Sequence, residues 1–112
     1  MKASDVATLD GVETVQPDYE NRDILAGYAS DLLSDVMAHA PEGCLLITIQ
    51  AHGNTVSVAS LAGAAGVMIC NRRPIPDDMI AAARAERLPL FRTARNQFEM
   101  SCLLGGLLSA RE

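Results

Sequence analysis

The sequence predicts an α/β fold. It reads as a three-layer sandwich with a mainly parallel central sheet, a Rossmann-like βαβαβα core, preceded by a short N-terminal helix and strand. Three observations carry this. Cys44–Ile49 (CLLITI) and Gly66–Cys70 (GVMIC) are short, continuous apolar runs, the pattern of strands buried on both faces. Between them, Thr55–Ala65 repeats apolar residues at Val56, Ala59, Leu61, Ala62 and Ala65, close to helical spacing. Two parallel neighbours need such a crossover, and the crossover is right-handed. Leu88–Phe91 then follows a further helical stretch as a third parallel strand.

In chain order, Met1–Leu9 predicts a short helix with Ser4 as a cap, and Asp10-Gly11 a turn. Val12–Val15 reads as a strand and Pro17–Arg22 as a loop. Ile24–Ala29 is a strand leading into a helix from Ser30 to His39. Ser30 sits where an N-cap belongs, and Leu32, Leu33, Val36 and Met37 form the buried stripe. Pro41-Glu42-Gly43 ends that helix. Gln50–Asn54 is a polar turn whose Asn54 can cap the next helix, and Gly63 and Gly66 mark that helix's last turn and end. Two prolines keep Asn71–Pro76 out of a helix. Asp77 and Asp78 then open one that carries Arg84 and Arg87 in its last turns, the charge order the helix dipole favours. Its sheet-facing residues are Met79, Ile80, Ala82 and Ala83. Asn96 caps a final helix with Phe98, Met100, Cys102, Leu103, Leu104, Leu107 and Leu108, apolar around much of its circumference. Gly105-Gly106 in that helix permits close approach of another backbone.

Composition narrows the function. At 112 residues with no linker or repeat, a single domain is expected. A net charge of −5 argues against nucleic acid. No apolar run is long enough for a membrane span, and the acidic N-terminus is not a secretory signal, so a cytoplasmic protein is expected. Cys44, Cys70 and Cys102 are widely spaced and form no CxxC pair, so they read as buried, reduced thiols.

Three constellations could carry chemistry. Ser30, Asp31, Ser34 and Asp35 could hold a divalent cation through carboxylates four apart, or could simply cap a helix and face solvent. Gln50, His52 and Asn54 lie in a turn that opens a helix. There, free amides can meet an anion and His52 could donate, or the turn is plain surface. Arg72, Arg73, Arg92 and Arg95, with Asn71 and Thr93 beside them, all follow parallel strands and should gather at one rim. Guanidiniums there point to phosphate or carboxylate binding, against ordinary pairing with the 14 acids. No nucleophile–base–orienter set can be assembled, so no enzyme activity is expected, and neither a metal nor another cofactor is implied.

Gly27-Tyr28-Ala29-Ser30-Asp31-Leu32-Leu33-Ser34-Asp35-Val36-Met37, followed by Ile47–Asn54 and Val58–Gly63, resembles the DRTGG-type domain family. The likeness is to small stand-alone members similar to the HPr kinase/phosphorylase N-terminal domain, and it covers about residues 1–108. It implies an α/β regulatory domain, commonly dimeric, acting beside a hydrogenase- or kinase-related partner enzyme. The family's usual Gly-Gly step is here Asn71-Arg72-Arg73, and an arginine is not expected to copy a glycine's open backbone. The kinase half, with its G-x-x-x-x-G-K-[ST] loop, has no counterpart in the sequence. The expectation is a non-catalytic regulatory or sensor domain, homodimeric through its last helix, binding a small anionic ligand, with a nucleotide among the candidates. The alternative is a ligand-free protein–protein interaction module.

Overall fold

The computed structural model describes residues 1–110. Along the chain come α1 (Ala3–Ala7), β1 (Val12–Gln16), β2 (Ala26–Ala29), α2 (Leu33–His39), β3 (Cys44–Thr48), α3 (Gly53–Leu61), β4 (Gly66–Ile69), α4 (Asp77–Ala85), β5 (Leu90–Thr93) and α5 (Gln97–Ser109). The strands form one sheet in the order β1-β5-β4-β3-β2. β2 to β5 run parallel, and β1 joins β5 antiparallel.

Strand periodicity builds the layers. Successive side chains in a strand point to opposite faces. Cys44, Leu46, Val67, Ile69 and Leu90 pack on one face with Val36, Val56, Ala59, Met79 and Ala83 from α2, α3 and α4. Leu45, Ile47, Met68 and Phe91 pack on the other with Ala3 and Val6 of α1 and Met100 and Leu104 of α5. Both faces of β3 and β4 are therefore dry, and every residue of these two strands is buried. The α/β sandwich read from the sequence is the observed architecture.

Several local expectations are corrected. The Ser30 helix begins at Leu33 with Leu32 as N-cap, because Ser30 and Asp31 are drawn to the ends of the strands. Leu32 and Met37 are exposed and only Val36 is fully buried, since seven residues give less than two turns of contact with the sheet. His52, not Asn54, is the N-cap of α3, and Leu61 lies outside the core. That helix stops at Leu61, where Gly63, at φ +75°, lets Ala64 N–H donate to Ala59 C=O. Gly66 belongs to β4 rather than to a helix end; a Cβ there would come within 3.2 Å of Pro89 Cβ. Arg87 also falls beyond its helix, at φ +52°, closing α4 in the same way as Gly63 closes α3. Cys44 and Cys70 are buried but Cys102 is exposed, since α5 turns only Met100 and Leu104 fully inward.

Asn96 does cap α5. Its side chain accepts from Glu99 N–H, and Glu99 accepts in return from Asn96 N–H. Among the described residues, no helix is long and apolar enough to cross a membrane.

Candidate functional site

Topology chooses the place. The connections leaving β2, β3 and β4 lead to helices on one face, while the connection leaving β5 leads to α5 on the other. Adjacent connections that diverge to opposite faces open a crevice at the carboxyl ends of their strands. In this sheet the divergence falls between β4 and β5. There the structure brings Arg72, Arg92 and Thr93 together with Gly11, Val12, Glu13 and Ala94 around a depression of about 320 Å³.

The turn that delivers Arg72 is built with a left-handed backbone. Asn71 and Arg72 have φ of +60° and +48°. Arg73 N–H closes the turn on Cys70 C=O at 3.3 Å. Arg72 thus takes up a backbone conformation that the sequence reading reserved for glycine. Two bonds from neighbouring strand ends hold it there: Asn71 N–H donates to Arg95 C=O at 2.9 Å and Arg72 N–H to Thr93 C=O at 2.8 Å. Asparagine tolerates this region, but a left-handed arginine costs about 1–2 kcal/mol. Among the described residues, the Arg72 guanidinium has no ion-pair or hydrogen-bond partner.

The other three arginines differ in use. Arg92 stands opposite Glu13 in the β1–β5 register, and its Nε donates to Glu13 Oε2 at 2.7 Å. Arg95 staples the turn before β1: its Nη1 donates to Asp10 C=O at 2.7 Å and to Thr93 Oγ1 at 3.5 Å. Arg73 is exposed and does not line the depression. Of the four arginines expected at the rim, Arg72 and Arg92 line the depression.

The Ser30–Asp35 segment lies at the same end of the sheet but at its β2 side. Asp31 Oδ1 accepts from Thr48 Oγ1 at 2.9 Å, Ile49 N–H at 3.0 Å and Gln97 Nε2 at 3.1 Å. Asp35 accepts from Tyr28 O–H at 2.6 Å. That bond, then one from Ser30, lowers the Asp35 carboxyl below its ordinary value, and the same bond raises the Tyr28 hydroxyl. The two carboxylates turn to different partners, and Ser34 is exposed. Among the described residues, no cluster of three His, Cys, Asp or Glu is placed to hold a metal ion.

Gln50, His52 and Asn54 occupy a third place. Gln50 N–H donates to Thr48 Oγ1 and its C=O accepts from Thr55 Oγ1. His52, Gly53 and Asn54 line an open depression shared with Asp78. Asp78 Oδ2 lies 3.4 Å from where a Cβ on Gly53 would stand, so the start of α3 already faces a carboxylate of this chain. An anion there would meet like charge.

Sequence reasoning missed Glu13 and Gln97. Glu13 reaches the site only because β1 pairs with β5, a non-local pairing with no signal in the chain. Gln97 Nε2 bonds both Asp31 and Ile47 C=O. Its position beside the Asn96 cap was the available hint. Cys70, just before the Asn71–Arg72 turn, is not a reactive thiol: burial pushes it up to about 11.

No protein-family model matches the chain, and no curated protein does so.

Proposed function

We propose that this chain is a non-catalytic regulatory or sensor domain that binds a small anionic ligand at the β4–β5 crevice. In this reading it acts as a homodimer and passes its ligand state to a partner enzyme. One observation carries the ligand site: Arg72 is held in a left-handed backbone, beside Arg92, where a glycine would fit without strain. Residues held in such sparsely populated backbone regions cluster at ligand sites. Arg72 supplies charge, Arg92 supplies its remaining N–H groups, and Thr93 lines the same depression. The resemblance of Gly27–Met37 to DRTGG-type domains supports the regulatory role and the hydrogenase- or kinase-related partner. It bears less on the ligand, because the Asp31 and Asp35 carboxylates are engaged within the fold.

A thermal-shift screen of nucleotides, phosphorylated metabolites and carboxylic acids tests this. The expected result is stabilisation by at least one anion, lost in both Arg72→Ala and Arg92→Ala. The competing reading is a ligand-free interaction module. It is favoured by the apolar side chains left outside the core, Leu25 at 71% and Phe98 at 76% exposure among them. Silence across the whole screen, with a stable dimer, would decide for that alternative.

A further inference from the structure

We infer that the β4–β5 crevice takes a phosphoryl dianion, as free phosphate or a small phosphate monoester, and that Arg95 is the third guanidinium that binds it. The inference rests on the anion site proposed above and deepens it.

Three arginines issue from one fastened patch of backbone. Arg92 lies near the end of β5, and Arg95 follows in the loop before α5. The turn that carries Arg72 is tied to this segment: Asn71 N–H donates to Arg95 C=O at 2.9 Å and Arg72 N–H to Thr93 C=O at 2.8 Å. The Arg95 guanidinium reaches the wall of the depression. Its Nη1 lies 3.5 Å from Thr93 Oγ1 and 3.3 Å from where a Cβ on Gly11 would stand, and Thr93 and Gly11 both line the depression. A side chain at Gly11 would crowd this guanidinium.

Charge and shape then select the ligand. Arg95 donates to the Asp10 carbonyl oxygen and the Thr93 hydroxyl, both neutral, so its charge is not offset. Among the described residues, Arg72 has no ion-pair partner, and Arg92 pairs with Glu13. Three guanidiniums therefore stand against one carboxylate, an excess that suits two negative charges better than one. Among the described residues, Nε and Nη2 of Arg95 have no hydrogen-bond partner, and neither do the terminal nitrogens of Arg92. With Arg72, these donors issue from the β4–α4 turn, the end of β5 and the β5–α5 loop. A carboxylate offers its two oxygens in one plane. A phosphoryl group spreads its oxygens around the phosphorus and accepts from several directions at once. The Arg92 and Glu13 side chains are 29% and 56% exposed, so water weakens each charge contact. The second negative charge is therefore worth about tenfold in affinity, not many thousandfold.

The test is a titration of the full chain followed by NMR at the backbone amides of Arg72, Arg92 and Thr93 and at the Arg95 Nε–H. The probes are inorganic phosphate, methyl phosphate, malonate and acetate at constant ionic strength and about pH 8, where both phosphates are dianions. The phosphates should bind about tenfold more tightly than acetate, with malonate between, and should move the Arg95 Nε–H together with the amides. Arg95→Gln keeps a donor for Asp10 C=O and removes the charge. It should weaken phosphate binding about tenfold and acetate binding less. Methyl phosphate tighter than inorganic phosphate supports an ester as the ligand, and the reverse order supports the free ion. Malonate or acetate binding at least as tightly as both phosphates would overturn the phosphoryl preference and leave the anion site standing. An unmoved Arg95 Nε–H in the unaltered chain, or full phosphate affinity in Arg95→Gln, would overturn the part given to Arg95. No shift with any probe would overturn this inference and the anion site together.

Discussion

Arg72 poses a trade between stability and binding. Its left-handed backbone costs about 1–2 kcal/mol, and a glycine would recover part of that, offset by about 0.5–1 kcal/mol of extra chain entropy in the unfolded state. Arg72→Gly should therefore raise stability by up to about 1 kcal/mol in urea denaturation while abolishing the anion response. A destabilised variant would mean that the turn is not strained. Asp35 makes a second case. Its folded-state carboxyl lies below its ordinary 3.8, first because Tyr28 donates to it and then because Ser30 does. Such a group favours the folded state above its unfolded value, and that contribution drains away as pH falls through the folded value. Tyr28→Phe removes the main cause. Its stability should fall less steeply than that of the unaltered chain as pH drops from about 5 toward 2. Parallel denaturation curves at each pH give the comparison, and identical slopes would count against the bond.

At the scale of elements, Asp31 ties three together. One carboxylate oxygen joins the loop after β2, the end of β3 and the first turn of α5. The Thr48 hydroxyl it accepts from is fully buried. Asp31→Ala leaves that donor and the Ile49 amide without their partner, at a cost of about 2–4 kcal/mol. Asp31→Asn keeps one acceptor oxygen and should recover roughly half. Equilibrium unfolding in urea measures both. Equal stability of Asp31→Ala and the unaltered chain would show that the carboxylate is dispensable. The resembling segment around Ser30–Asp35 is thus explained in good part by how β2, β3 and α5 are joined.

On the whole-molecule scale, the sheet has two unlike edges. β1 forms one, beside the candidate site, and β2 forms the other. Ala26–Ala29 carries neither charge nor proline, the usual guards of an edge strand. Leu25 and Leu32, 71% and 64% exposed, flank it, and Gly27, Ala29, Leu104, Gly105 and Leu108 line a groove alongside. The proposed homodimer would use this side, including the exposed Gly105 and Gly106 of α5. Light scattering at micromolar concentration should report twice the chain mass, and Ala29→Lys, which places a charge on the edge, should shift it toward monomer. A monomer from the unaltered chain would remove the dimer and leave the anion site untouched.

The chain's own pattern determined the sandwich. Continuous apolar runs at Cys44–Ile49 and Gly66–Cys70, a helical stretch between them, and the Asn96 cap are local signals, and each appears in the structure. The gathering of loops at the carboxyl ends of the strands was legible too, because parallel connectivity forces it. The pairing of β1 with β5, which places Glu13 against Arg92, was decided only by the tertiary fold. So were the diversion of Arg95 to Asp10 and the capture of Asp31 by Thr48 and Gln97. Periodicity reports which face a residue occupies. Which distant group a charged side chain meets depends on strand order and register, and those are settled by the packing of the whole molecule.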